Sequence, residues 1–218
     1  MQANYVQRLR FRFSKEGPTR FISHLDLARA LERALNRTKI PVSYTQGYNP
    51  RPRMQFASAL PLGFSSDYEL ADVWLEEAID PAGAREQMMS KMAPGIVVHK
   101  VWEVPLDAPA MQASTLESSY VATVTDVEQE TLQRRVADLL ARETIRRERC
   151  GKEYDLRPLL LELRVEEAAE NELYLAMRLT LRPGQMGRPD EVLAALELDP
   201  LDVHVCRTEI VLDDAAGG

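Results

Sequence analysis

The sequence has little of what builds a metal cluster, a disulfide framework or a membrane span. It holds two cysteines and three histidines in 218 residues. Cys150 and Cys206 lie far apart and form no CxxC or CxxxCxxC pattern, which argues against a disulfide, a zinc site or an iron–sulfur cluster held by this chain. His24, His99 and His204 are scattered without ligand spacing. No apolar run approaches the ~20 residues that cross a bilayer, and the opening MQANYVQRLRFRF lacks the apolar stretch of a signal peptide. These absences predict a cytoplasmic protein with no metal or cofactor in this chain and no membrane partner.

What is present is charge, unevenly spread. The chain carries 27 Lys/Arg and 34 Asp/Glu for a net charge of −7, with 45% hydrophobic residues, enough for a packed core. Residues 1–60 hold eleven basic and three acidic residues, a net of +8, so the remainder is net −15. That asymmetry predicts one basic face on an acidic body.

Periodicity predicts an α+β chain. Residues 5–13 alternate, placing Leu9, Phe11 and Phe13 inward and Arg8, Arg10 and Arg12 outward on a strand. After a turn at Glu16-Gly17-Pro18, Ser23 and Asp26 have capping-box spacing for a helix running to about Thr38. Its apolar face is Leu27, Leu31, Ala34 and Leu35, with Arg29, Arg33 and Arg37 on another side. A strand over 42–58, broken by a loop, pairs with 68–76. A helix over 81–93 and a strand over 96–104 follow. Residues 105–115, rich in Pro and small residues, read as a linker. The same order then repeats: strand 118–125, helix 127–142, basic strand 144–149, a hairpin of 159–166 and 172–181 turning at Glu170-Asn171, a helix from Pro189 and a strand 203–211. The expectation is two tandem ferredoxin-like βαββαβ units with antiparallel sheets, at 1–104 and 116–212, ahead of a disordered tail at 213–218.

Two stretches carry chemistry. The helix opened by Ser23 offers unpaired N–H groups and a positive dipole end, with Arg20 and Lys15 before it and Arg29 within it, so it suits a phosphate. His24, at the first helical position, could donate to an anion or move a proton. Capping alone also explains Ser23 and Asp26, and a packed structural role also explains His24. The loop Tyr44–Arg53 gathers Tyr44, Gln46, Tyr48, Asn49, Arg51 and Arg53 around Gly47, Pro50 and Pro52. Arginine and tyrosine together suit phosphates and splayed bases, and the prolines lower the ordering cost of binding. A solvated hairpin loop is the plainer alternative. Three features are weaker. Arg146, Arg147, Arg149 and Lys152 either extend the basic face or mark a solvated edge. The stretch RPGQMGRP at 182–189 lacks the Walker order. Cys150 has no histidine near it in sequence.

Together these residues resemble the signature of the radical-SAM-linked protein family, a bacterial domain of unknown function. The resemblance lies in Lys15, Gly17, Arg20, Phe21 and Ser23-His24-Leu25-Asp26, then Tyr44, Gly47-Tyr48-Asn49-Pro50-Arg51-Pro52, then Pro61-Leu62-Gly63. It is specific over residues 8–64 and looser beyond, through Tyr154-Asp155-Leu156-Arg157-Pro158. It implies a radical-SAM protein as partner and a role in RNA or ribosome-related modification, with this chain as the accessory, substrate-presenting subunit.

Three functions compete. The first is an RNA-binding accessory subunit. The second is a stand-alone RNA-processing or RNA-modifying enzyme, with His24 as catalytic general acid/base and Arg20 and Arg51 stabilising an anion. The third is a protein–protein adaptor using Trp74, Trp102 and the acidic half. The first two require the helix start and the Tyr44–Arg53 arm to converge on one electropositive hollow.

Overall fold

A computed structural model of the protein describes residues 5–167 and 172–213. The expected turn at Glu170-Asn171 and the tail beyond Asp213 lie outside the described residues. The chain divides into two compact units, one reaching Thr115 and resuming at Leu212, the other Leu116–Val211. No helix among the described residues is long and apolar enough to cross a membrane.

The first unit holds β1 (Gln7–Lys15), α1 (His24–Asn36), β2 (Met54–Phe56), β3 (Ser65–Leu75), α2 (Pro81–Met89), β4 (Ile96–Val104) and a short α3 (Met111–Ser114). β1 pairs antiparallel with both β3 and β4, and β2 lies antiparallel on β3. Strand alternation puts Leu9, Phe11 and Phe13 beside Ala71, Val73 and Leu75 on one face. Helix α1 covers that face with Leu27, Leu31, Ala34 and Leu35, and α2 with Ala84 and Met88. The 27-31-34-35 spacing is what turns α1 onto the sheet.

The opposite face departs from expectation. Arg8 and Arg10, predicted to point to solvent, are 1% and 8% exposed, while Arg12 is half-buried. Asp72 of β3 is fully buried between the first two. Its Oδ2 accepts from Arg8 Nε at 2.8 Å and its Oδ1 from Arg10 Nε at 2.8 Å. Residues 105–110 close over them: Arg8 Nη1 donates to the Ala108 carbonyl at 2.6 Å and Nη2 to that of Pro109 at 3.1 Å. The Arg8 guanidinium also lies 4.7 Å from the centre of the Trp74 ring. Alternation identified the face, but a row of arginines reads as solvent-facing unless the carboxylate sixty residues away is known to meet it.

The second unit holds β5 (Thr115–Val124), α4 (Gln129–Leu140), β6 (Arg146–Arg149), β7 (Lys152–Asp155), β8 (Leu160–Glu167), β9 (Leu173–Arg182), β10 (Gln185–Met186), α5 (Pro189–Ala195) and β11 (His204–Leu212). β9 pairs antiparallel with β5, β8 and β10. Leu132, Val136 and Leu139 are the buried face of α4.

The α+β class stands, but the expected clean pair of tandem ferredoxin-like βαββαβ units does not. In the first unit the strands lie in the order β4-β1-β3 with β2 on β3, and in the second in the order β10-β9-β5-β11 with β8 on β9. Strands β6 and β7 form a separate two-stranded ribbon, so the second half does not repeat the first element for element. Sequence period marks strands and their buried faces. It is silent on which edges pair, because backbone groups at an edge accept any complementary strand.

Asp72 should be the most sensitive polar position in the first unit. Replacing it with Ala leaves two guanidiniums buried without their counter-charge, and breaking a buried pair from one side costs roughly 3–5 kcal/mol. Urea denaturation of Asp72→Ala against wild type should show that loss, with Arg29→Ala at the surface within about 0.5 kcal/mol of wild type.

Candidate nucleic-acid interface

Ser23 and Asp26 close the start of α1 on themselves. Ser23 Oγ accepts from the Asp26 N–H at 3.1 Å and its hydroxyl donates to Asp26 Oδ2 at 2.7 Å. Asp26 Oδ1 in turn accepts from Arg29 Nη1 at 3.1 Å. The Ser23 hydrogen bond, followed by Arg29, holds the Asp26 carboxyl below its ordinary value of 3.8. The helix start is therefore occupied by the chain's own carboxylate, which repels the phosphate expected there.

Around this cap the surface is apolar as well as basic. A 3-10 turn over Gly17–Phe21 puts the Arg20 guanidinium 4.6 Å from the centre of the Phe21 ring. The Arg20 carbonyl accepts from the Gly63 N–H at 2.9 Å, which brings the Pro61-Leu62-Gly63 turn alongside. Phe21, Leu25 and Leu62 are 59%, 67% and 64% exposed. His24 is half-buried, its ring edge-on to Phe56 with centroids 5.1 Å apart. Lys15 is 2% exposed at the end of β1 and so is not offered to a polyanion.

The Tyr44–Arg53 loop is a built arm. The Thr45 N–H donates to the Arg51 carbonyl at 2.8 Å and the Arg53 N–H to that of Ser43 at 2.7 Å, while Thr45 Oγ1 accepts from the Arg51 N–H at 3.1 Å. These rungs leave Gln46, Gly47, Tyr48 and Asn49 at an exposed tip, with Tyr48 wholly in solvent. The arm rests on the far end of α1. The Tyr44 hydroxyl donates to Asn36 Oδ1 at 2.8 Å, and Arg51 Nη1 lies 3.9 Å from Glu32 Oε1. Arg53 turns to the other face of the sheet, 4.8 Å over Tyr5 and 5.6 Å over Trp74.

The expected single hollow is thus not the arrangement. His24 and Glu32 are separated by about 12 Å of helix axis, and Arg51 pairs at the Glu32 end. Arg20, Ser23 and His24 form one group, and Tyr44, Tyr48, Asn49 and Arg51 another. Arg29 and Arg33 are exposed on α1 and Arg37 at its C-cap, where Arg37 Nη2 donates to the Lys91 carbonyl at 2.6 Å. Their four-residue spacing makes a stripe along one side of the helix. Arg33 and Arg37 were legible as part of that side but not as binding residues. The exposure of Phe21, Leu25 and Leu62 carried no sequence signal, because residue type alone does not tell which apolar side chains a fold leaves uncovered. The surface so built is a cationic stripe with an aromatic at each end, able to hold a flexible anionic chain and stack on its planar groups.

A family model described as "Uncharacterized protein conserved in bacteria (DUF2344)" matches residues 8–189. No curated protein matches the sequence. Among solved structures, a chain in the crystal structure of a Cbf5-Nop10-Gar1 complex is similar at 12% identity and a TM-score of 0.48, over 92% of this chain and 49% of that one. A chain in the structure of an H/ACA ribonucleoprotein bound to a substrate RNA containing 2′-deoxyuridine gives 12% identity and a TM-score of 0.42, over 91% and 47%. The protein spans about half the length of these relatives.

The cap has a pH signature. A carboxyl lowered by folding contributes stability above its unfolded value and loses it as pH falls through the folded one. An NMR titration should place the Asp26 carboxyl below 3.8. Ser23→Ala should raise it toward that value and cost about 1 kcal/mol of stability.

Proposed function

The chain belongs to DUF2344, a family conserved in bacteria, and we propose that it is an RNA-binding accessory subunit. In place of the single hollow expected from the sequence, single-stranded RNA would lie on an open surface along Arg29, Arg33 and Arg37, with Arg51 on its backbone and bases stacked on Tyr48 at the arm tip and on Phe21 beside Arg20. The observation that carries this reading is Tyr48: a tyrosine wholly in solvent, at the tip of an arm whose base is closed by backbone hydrogen bonds. An exposed ring on an arm whose base is already hydrogen-bonded meets a base without the arm having to be built first. The Arg51–Glu32 pair is long and exposed, a kind that contributes little, so Arg51 can exchange it for a phosphate. Proline and backbone rungs set the arm beforehand, so binding energy is not spent on shaping it.

The partner implied by the family resemblance is a radical-SAM protein, which would perform RNA or ribosome-related modification in the cytoplasm while this chain holds the substrate. A reading in which His24 is itself the general acid/base requires Arg51 beside it, and Arg51 sits at the other end of α1.

Binding of single-stranded RNA to the full chain, followed by fluorescence anisotropy over a salt series, tests the proposal. Affinity should fall steeply with salt, and Arg51→Ala should flatten the log–log slope by about 0.7. Tyr48→Ala should cost roughly 1–3 kcal/mol of binding with no loss of stability. Arg53→Ala should lower stability and leave the slope alone, because its guanidinium is committed to Tyr5 and Trp74. Salt-independent binding, or full affinity in Tyr48→Ala, defeats the reading. RNA turnover by the isolated chain that His24→Ala abolishes without loss of binding would replace the accessory role with the enzymatic one.

A further inference from the structure

Three stretches left without a role in the first unit's surface meet in the second: the basic run at 146–152, Cys150, and the RPGQMGRP segment. Strands β6 and β7 turn on Cys150 and Gly151, both left-handed at φ 51° and 74°, as a two-residue hairpin turn requires. Gly187 follows β10, where a Cβ would stand 2.9 Å from the Leu159 carbonyl oxygen and 3.0 Å from Leu179 Cβ. Only glycine lets that backbone lie so close. A cavity of about 610 Å³ is lined by both hairpins, a size that holds a small organic ligand.

Its lining has two characters. Tyr154, Leu159 and Met186 supply an apolar side. Arg149 and Lys152 supply charge, and they stand directly opposite each other across the ribbon. Like charges so placed repel, and neither forms an ion pair among the described residues. The one carboxylate in the lining, Asp155, is committed elsewhere: its Oδ1 accepts from the N–H groups of Ile145 at 2.8 Å and Arg157 at 3.0 Å. Arg188 donates through Nη2 to Asp190 at 2.8 Å. Two buried polar atoms of the lining residues have no partner, the Tyr154 hydroxyl and Arg188 Nε. Burial, then the Glu191 carboxylate, raise the Tyr154 pKa above 10.0, so the hydroxyl keeps its proton and stays a donor.

We propose that this cavity binds a 5′-nucleotide, with the phosphate between Arg149 and Lys152 and the base against Tyr154, Leu159 and Met186. Two uncompensated cations match a phosphate monoester dianion, where a carboxylate would neutralise only one. The base is held by apolar and ring contact, since the Tyr154 hydroxyl and Arg188 Nε are buried away from solvent. A free mononucleotide and the 5′-phosphorylated end of an RNA share this chemistry. The site is separate from the arm and does not depend on it.

Calorimetric titration of the full chain separates the outcomes. The probes are the four nucleoside 5′-monophosphates, the matching nucleosides, inorganic phosphate, and a short RNA with and without a 5′-phosphate. The monophosphates should bind about tenfold or more tighter than nucleoside or inorganic phosphate, and should slow alkylation of Cys150. The double variant Arg149→Gln, Lys152→Gln should lose about that factor while keeping or raising its unfolding midpoint, since a repulsion is removed. Tyr48→Ala should leave mononucleotide binding unchanged, so failure of the arm and failure of this pocket read out separately. Preference for the 5′-phosphorylated RNA over its 5′-hydroxyl form identifies an RNA end as the ligand, and equal binding of the two identifies the free nucleotide. Absence of binding by every monophosphate, inorganic phosphate binding as well as they do, or wild-type affinity in the double variant would overturn the proposal.

Discussion

A carboxylate shared by two guanidiniums inside the first unit sets what the rest of that unit can do. Asp72 bonds both Arg8 and Arg10, which leaves a net positive charge out of contact with water. The backbone carbonyls of Ala108 and Pro109 and the face of Trp74 take up that excess. Because the cluster must be covered, residues 105–110 are held against the sheet. The basic count of the N-terminal quarter is also less than it looks: Arg8, Arg10 and Lys15 are structural, and the charge available for a partner lies on α1 and the arm. Trp74 links the two roles, since it also carries Arg53 at the arm's base.

The division between Arg51 and Arg53 follows from that geometry. Two positions apart on the arm, one turns to α1 and the other to the buried ionic face. The first sits in a weak exposed pair and is free to exchange it. The second is held by two aromatic rings and anchors the arm. The cap at Ser23 is a similar case of a group with a structural assignment. Its hydrogen bonds to Asp26 satisfy the helix start from within, and a carboxylate there works against an anion. The surface we propose for RNA is therefore the outer side of α1 and the arm tip, rather than the helix end.

In the second unit, hairpin geometry gathers what the sequence spreads over forty residues. The Cys150-Gly151 turn and the close approach at Gly187 are requirements of the backbone, and the cavity lies where they bring two hairpins together. Arg149 opposing Lys152 is locally unfavourable, and a local conflict of this kind is expected at a functional site.

Local structure was legible because it depends on neighbours in sequence. The span of α1, its Ser23 cap, the inward face of β1, and the pairing of the broken strand with 68–76 all follow from period, capping spacing and turn residues. The candidate residues of the arm were legible too, since Tyr, Arg, Gly and Pro in ten positions have few plain explanations. What tertiary structure decided was every question of distance. Arg8 and Arg10 turned inward because Asp72 meets them. Arg51 went to Glu32 and away from His24. Strands β6 and β7 form a ribbon of their own because strand edges, unlike strand faces, carry no pattern of their own in the sequence. Composition and spacing specify what each residue can bond, and only the packed chain specifies which partner arrives.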